Sequence, residues 1–457
     1  MELKQTLTKD GERSILITRS ISLENLSEKY QPCVRQYTGI PSVEFTGDRL
    51  WCMWQTGGDK EPHPENYCVI AYSDDKGESF CESALIIEAY FEDARTNVFI
   101  PMLITDEYGR LIILFSLKGK YYATVIKNPT APIEEIEWEE PRCVLEGIDI
   151  VCKPLKVEKD GGEVWYFFGD RPKSEYTFVI EASGEDKLAD WQIVGKIRTK
   201  NYCNARNLYH EAMAIETAPG EFCILKRLEK GFKGGIERAY SRDYGRTWTD
   251  YEDSLPYPLT GPGSKFTFLR LKSGNVLLVN HDSTEERRVL VAHLSLDGGR
   301  TFPYSLTLDE RGTVSYPETC ESSDGGIYIS YDKGRIAELE IRIARIREED
   351  IIAGKLVCPD SRLKIEVSRA GNYEDVCELL DFDFEKYAKE SRSTGELLNL
   401  LPEEIKIKTN KENYLTTHGT WTVSETKRTK FATYKTKELP YNVTDTYGKF
   451  VFEIKEN

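Results

Sequence analysis

At 457 residues the chain is long for one compact domain and short for three, which points to one large repeat-built body with a small appendage. A net charge of −16 leaves no basic stripe to neutralise phosphates, so nucleic acid and anionic membranes are poor partners; no apolar run, in the first thirty residues or later, approaches the roughly 18 residues of a membrane span, and the expected location is the cytoplasm. The 26 Tyr and 18 Phe favour strands, while eleven scattered cysteines without CxxC pairs and only five histidines give neither a disulfide framework nor a metal site, so no cofactor is expected.

In chain order, the first strand-like run, Tyr67 to Tyr72, leads into Ser73-Asp74-Asp75-Lys76-Gly77-Glu78-Ser79-Phe80. The same pattern, S-x-D-x-G-x-S/T-F/W, returns as Ser241 to Trp248 after the run Ile236 to Tyr240, and as Ser295 to Phe302 after Val289 to Leu294. Asp75, Asp243 and Asp297 are expected to accept hydrogen bonds from turn amides, with the Gly at positive φ and the aromatic packed under the turn, a structural role rather than a catalytic one. The second and third copies lie about 54 residues apart, and stepping by that period finds decayed copies at "YYATVIKNP" with Trp138, at "YTFVIEASGED" with Trp191, and at "ELEIRIARIREED". Six units of this length suit four-stranded blades, so residues 1–365 are expected to form a six-bladed β-propeller of the all-β class.

Beyond "GKLVCPDSRLKI" the pattern changes. Tyr373 to Lys389 has helical spacing, "TGELLNLLPEEI" follows and breaks at Pro402, and "GTWTVSE", "KFATYKTKEL" and "GKFVFEI" alternate as strands. Residues 366–457 are therefore expected to be a small α+β appendage, its sheet a packing face or a surface for homo-oligomers.

The three repeated turns resemble the Asp boxes of the sialidase superfamily, and residues 35 to 365 are similar to bacterial BNR-repeat proteins of that group. The resemblance implies a substrate carboxylate held by three arginines, a Tyr nucleophile paired with a Glu, and an acid/base carboxyl. "HEAMAIETAPGEFCILKR" matches the segment of the Glu partner and one binding arginine, giving Glu211 and Arg227, with His210 beside them on the substrate side. "RRVLVAHLSLDGG" gives Arg287, with Arg288 as the register alternative, and "VSYPETCESSDGGIYISY" gives Tyr316 as nucleophile. The acid/base position falls in "GGDKEPHPENY", on Glu61, with Glu65 and Asp59 as competitors.

The chain departs from the family where the first arginine stands in R-I-P, because it reads Thr38-Gly39-Ile40-Pro41. Arg35 is the nearest substitute. Asp332 and Arg335, in "YDKGR", are expected to form an ion pair that holds the last unit, with a place on the channel wall as the alternative. The resemblance implies a retaining exo-glycosidase acting on a terminal carboxylated sugar of a small carbohydrate substrate. The alternatives are a uronate-glycan lyase on the same scaffold and a non-catalytic carbohydrate-binding propeller.

Overall fold

The computed structural model describes residues 5–20, 26–171, 174–199, 211–228, 234–371, 374–380, 382–391, 393–409, 414–425, 429–436, 443–444 and 450–455. The chain divides into two compact units, Met1–Ala370 and Gly371–Asn457. Among the described residues no helix is long and apolar enough to cross a membrane.

The first unit is built from antiparallel sheets that follow one another in chain order. The first sheet begins at its inner edge with Tyr37–Thr46 and continues through Arg49–Gly57, Tyr67–Ser73 and Cys81–Phe91; the hairpin Gln5–Asp10 and Arg13–Arg19 is added at its outer edge. The second runs from Phe99–Thr105 to Arg142–Glu146 and the third from Asp149–Ile150 to Trp191–Arg198. The fourth holds Ala212–Ala218, Glu221–Arg227 and Ile236–Ser241. The fifth runs from Thr267–Arg270 to Tyr304–Gly312 and the sixth from Val314–Glu321 to Arg362–Arg369.

Five of these sheets have the four or more strands of a full blade, while the fourth has three among the described residues. The six equal four-stranded units expected from the repeat are corrected accordingly. The segment after Ile236–Ser241 meets that strand through the isolated bridge Arg238↔Glu252 and the Thr249 amide, which donates to the Tyr240 carbonyl at 2.8 Å, and then reaches Pro256 and Pro258, which cannot donate to a ladder.

The apolar cores lie between successive sheets. Trp51 and Met53 of the first sheet pack with Leu103 and Phe115 of the second, and Ile112 and Leu114 with Trp165 and Phe167 of the third. Similar clusters join the third to the fourth, the fourth to the fifth and the fifth to the sixth. The last core returns to the start, where Tyr328, Ile341 and Ile343 of the sixth sheet pack with Val43, Phe45 and Trp54 of the first. Each sheet thus buries both faces against neighbours, which is the propeller-like arrangement.

The three repeated turns sit between the third and fourth strands of their sheets in the first and fifth, and follow the third strand of the fourth. In each, the Asp accepts from the backbone N–H and hydroxyl of the residue four positions on: Ser79, Thr247 and Thr301, with N–H distances of 2.9, 2.8 and 2.9 Å. The glycines stand at φ 88, 76 and 89°. For Asp75 burial works against the charge, but hydrogen bonds from Ser73, Ser79 and the turn amides outweigh it and hold the carboxyl at about 2.

In the second unit a six-stranded sheet carries the helices Phe384–Glu390 and Thr394–Leu400 on a core that includes Phe384, Leu397 and Ala432. The single helix expected from Tyr373 to Lys389 is not formed: Glu374–Leu380 is a strand, and the helix starts only where Asp383 accepts from the amide of Lys386.

Candidate active site

Three inner strands share a device. The first, second and sixth sheets each carry a one-residue β-bulge in the innermost strand, between Gly39 and Ser42, Phe99 and Met102, and Ser315 and Glu318. Within each bulge the residue before a proline takes a positive φ: Ile40 at 55°, Ile100 at 52° and Tyr316 at 54°. That backbone is unfavourable for a β-branched or aromatic residue, and a bulge re-aims the side chain it carries. Ile40, Ile100 and Tyr316 all line one cavity of about 500 Å³. The recurring Ile40-Pro41, Ile100-Pro101 and Tyr316-Pro317 was legible in the sequence but went unread.

Tyr316 is the centre of the polar wall of this cavity. Its hydroxyl donates to Glu211 Oε1 at 2.7 Å and accepts from Arg227 Nη1 at 3.0 Å. Arg227 Nη1 also reaches both oxygens of Glu211, at 2.7 and 2.6 Å. The closeness of Glu211 and Arg227 follows from strand pairing: Glu211 enters Ala212–Ala218, Arg227 ends the adjacent Glu221–Arg227, and the Arg227 amide donates to the Glu211 carbonyl at 2.9 Å. All three side chains are buried.

Burial alone would push the Glu211 carboxyl up, but the Arg227 guanidinium and the hydrogen bonds from Tyr316 and Arg227 bring it below the usual carboxylate range. Burial and the Glu211 charge push the Tyr316 phenol up to about 12, against the pull of Arg227, Arg335 and Arg287. The pair is therefore a neutral phenol hydrogen-bonded to an ionised carboxylate that is placed to accept its proton.

Two further guanidinium groups face the Tyr316 ring, Arg287 at 5.3 Å and Arg335 at 4.0 Å from its centroid. Arg287 donates to the Gly263 carbonyl at 3.3 Å and has no carboxylate in ion-pair contact among the described residues. Burial, with Arg335 and Arg227 nearby, lowers its affinity for its proton, so an incoming anion would be favoured there. Arg288 is exposed at the start of Arg288–Ser295 and lies away from Tyr316's ring contacts.

Glu61 lines the same cavity, accepting from the Tyr37 hydroxyl and from Arg335 Nη1 at 3.0 Å. Its competitors lie elsewhere: Glu65 is exposed and paired with Arg95, and Asp59 is exposed beside His63. His210 lies outside the described residues.

Arg35 does not fill the missing arginine position. It is buried, and its guanidinium is taken by Glu82, Ser83 and the Tyr30 carbonyl, which leaves nothing to offer the cavity. Asp332 and Arg335 do form the expected pair, at 2.9 Å, yet Arg335 also spans to Glu61 and stacks on Tyr316, so it belongs to the site and not to blade closure alone. Sequence reasoning missed Tyr37, whose hydroxyl donates to Glu61, and Asp149, which lines the cavity, whose carboxyl burial pushes up and which accepts from Ser116 Oγ at 3.4 Å.

Residues 48–329 match the model of the BNR repeat-like domain, more than half of the chain. No curated protein matches it. Among solved structures it is similar to a Hadza microbial sialidase, at 18% identity over 69% of this chain and 66% of that one, with a TM-score of 0.52. It is also similar to NanB sialidase of Streptococcus pneumoniae, at 14% identity, 67% and 66% coverage and a TM-score of 0.47. A third is an alpha-L-arabinanase of Penicillium chrysogenum, at 12% identity, 69% and 94% coverage and a TM-score of 0.48. The chain thus spans about two thirds of the length of the two sialidases, and identities this low speak for fold alone. With the family model covering residues 48–329 and the Asp turns formed as described, the chain belongs to the BNR repeat-like domain family.

Proposed function

We propose that the chain is an exo-acting, retaining glycoside hydrolase on a six-bladed β-propeller of residues 1–365, removing a terminal carboxylated sugar from small glycans or glycosides. The observation that carries this reading is the 2.7 Å hydrogen bond from Tyr316 to an ionised, buried Glu211 inside an arginine-lined cavity. In the first step Glu211 accepts the phenolic proton as the Tyr316 oxygen bonds to the anomeric carbon; Glu61 gives its proton to the departing oxygen, and a glycosyl–tyrosine remains. In the second step Glu61 takes a proton from water, the water oxygen bonds to the anomeric carbon, and the Tyr316 oxygen leaves and recovers its proton from Glu211. A neutral nucleophile suits an anionic sugar, which a carboxylate nucleophile would repel; Tyr nucleophiles in sialidases are a recognised exception to the two-carboxylate scheme.

The substrate carboxylate is assigned to Arg287 and Arg227. The cytoplasm is the proposed location, with imported oligosaccharides as the source of substrate, and residues 366–457 are the proposed surface for a homo-oligomer. The test is hydrolysis of fluorogenic glycosides of sialic acid, related ulosonic acids, uronic acids and neutral sugars, by wild type and Tyr316→Phe. Turnover of one acidic glycoside, lost in the variant, is the expected result. Elimination products in place of free sugar would favour the lyase, and binding without turnover of any glycoside would favour the carbohydrate-binding propeller.

A further inference from the structure

Two residues after the strained position, the three inner bulges carry three different side chains. After Ile40 stands Ser42, whose hydroxyl accepts from the Leu103 amide at 3.0 Å, and after Ile100 stands the apolar Met102, buried in the core. After Tyr316 stands Glu318, whose Oε2 accepts from Lys265 Nζ at 2.6 Å. The Lys265 and Glu318 side chains are 2 and 1% exposed, and neither lines the cavity.

Lys265 comes just before Thr267–Arg270, the innermost strand of the fifth sheet, and Thr267 donates its hydroxyl to the Pro317 carbonyl at 2.9 Å. Two residues of the fifth sheet's inner edge thus grip the two residues that follow Tyr316. On its other side Ser315 donates to Asp332 of the adjacent strand, so the bulge is tied down at both ends. The same short segment also carries the Gly263 carbonyl, which accepts from Arg287. Gly263 to Thr267 therefore sets the spacing between Arg287 and Tyr316.

Stability alone does not account for the ion pair. Taking two charges out of water costs about what their attraction returns, and apolar side chains of like volume would fill the same space as well. Apolar packing would not supply a directional hold on backbone that Tyr316, at φ 54°, occupies at a cost. Burial works against the Lys265 charge, but Glu318 outweighs it, and Glu211 is near enough to add to the pull. The pair is thus a close neighbour of the carboxylate to which Tyr316 donates.

We propose that Lys265 and Thr267 are positioning residues, which act through Glu318 and the Pro317 carbonyl to hold the Tyr316 bulge with its hydroxyl directed at Glu211. Their part in catalysis rests on the glycosidase reading given above; their hold on the bulge does not.

The experiment compares the full chain with two variants. Lys265→Met combined with Glu318→Leu replaces the pair by apolar side chains of like size, and Thr267→Val removes one hydroxyl. Hydrogen exchange over Val314–Glu321, read by mass spectrometry, is expected to quicken in both, more in the double variant, with the inner strands of the first and second sheets unchanged. On the acidic glycoside that wild type cleaves, kcat is expected to fall roughly tenfold to a hundredfold in the double variant and roughly threefold to tenfold in Thr267→Val, with KM within about twofold of wild type. The acidic limb of kcat/KM should move up toward 4.5, since the hydrogen bond from Tyr316 helps to hold the Glu211 carboxyl down. A purely structural pair would change stability without separating kcat from KM or moving that limb. Unchanged exchange over Val314–Glu321 would overturn the hold on the bulge, and Thr267→Val decides this if the double variant does not fold. Unchanged kcat, or a rise in KM with kcat intact, in a variant whose exchange has quickened would overturn the catalytic part. If wild type cleaves no glycoside, the glycosidase reading falls, and the exchange result still decides whether the fifth sheet holds the bulge.

Discussion

The outer turns and the inner strands of the propeller-like unit are both repeated devices, but they are repeated for different reasons. An Asp turn satisfies itself: within eight consecutive residues Ser241, Asp243, Gly245 and Thr247 supply their own donors and acceptors. The inner bulges at Ile40, Ile100 and Tyr316 hold unfavourable backbone, supported by contacts from distant parts of the chain such as the Ile40 amide on Asp332. Self-contained hydrogen bonding gives stability that can be lost one turn at a time. Strained inner strands give a site whose parts fail together.

That contrast predicts unequal effects. Tyr316→Phe is expected to lower kcat for the acidic glycoside by roughly a thousandfold or more, with the fold intact by circular dichroism, since only a hydroxyl is removed. Retained activity would mean the strained bulge does not carry the nucleophile. Glu211→Gln is expected to cost roughly a hundredfold to ten-thousandfold in kcat, the range of a lost general base, and to lower thermal stability because the charge facing Arg227 is gone.

The pH profile sharpens the same comparison. Glu211 lies below its ordinary 4.5, so its protonated form appears only under more acidic conditions; its contribution to stability and rate is present above that value and lost as pH falls through the lower one. The acidic limb assigned to Glu211 in kcat/KM should therefore lie below about 4.5 and be absent from Glu211→Gln. Tyr316 is raised to about 12, so the stability it lends is present below its ordinary 10.0 and lost between there and about 12. Its ionisation should add no alkaline limb to the rate below about 10.

The smallest effects belong to the outer turns. Asp243→Ala is expected to lower stability by about 1 kcal/mol with kcat and KM unchanged, measured by urea denaturation beside the activity assay. A loss of activity without loss of stability would contradict the division between outer turns and inner strands. Asp75, held at about 2, should lose its contribution as pH falls from 3.8 through that value, and Asp75→Asn should flatten this part of the acid-unfolding curve.

The same distinction explains what could be read from the sequence. The Asp turns were legible because their chemistry is contiguous, and their period gave the propeller-like body. The three-stranded fourth sheet was not legible, because the period does not say whether the residues leading to Pro256 and Pro258 pair as a full strand. Glu211 and Arg227 could be found together because one strand pair holds both. Arg335 was singled out with Asp332 but not tied to the other site residues, because its partners Tyr37, Gly39 and Glu61 lie nearly three hundred residues away and meet it only where the last sheet packs on the first. Arg35 looked like the better substitute from its nearness in sequence, but Glu82 and Ser83, on a different strand, had already claimed it.

The most direct test of the central claim is to trap the intermediate. Wild type is incubated with a fluorinated, carboxylated glycosyl fluoride that forms the glycosyl-enzyme but releases it slowly, then digested and sequenced by mass spectrometry. The account predicts one sugar on the peptide that contains Tyr316, and none in Tyr316→Phe. A sugar on any other residue, or steady turnover of acidic glycosides with no covalent adduct, would contradict it.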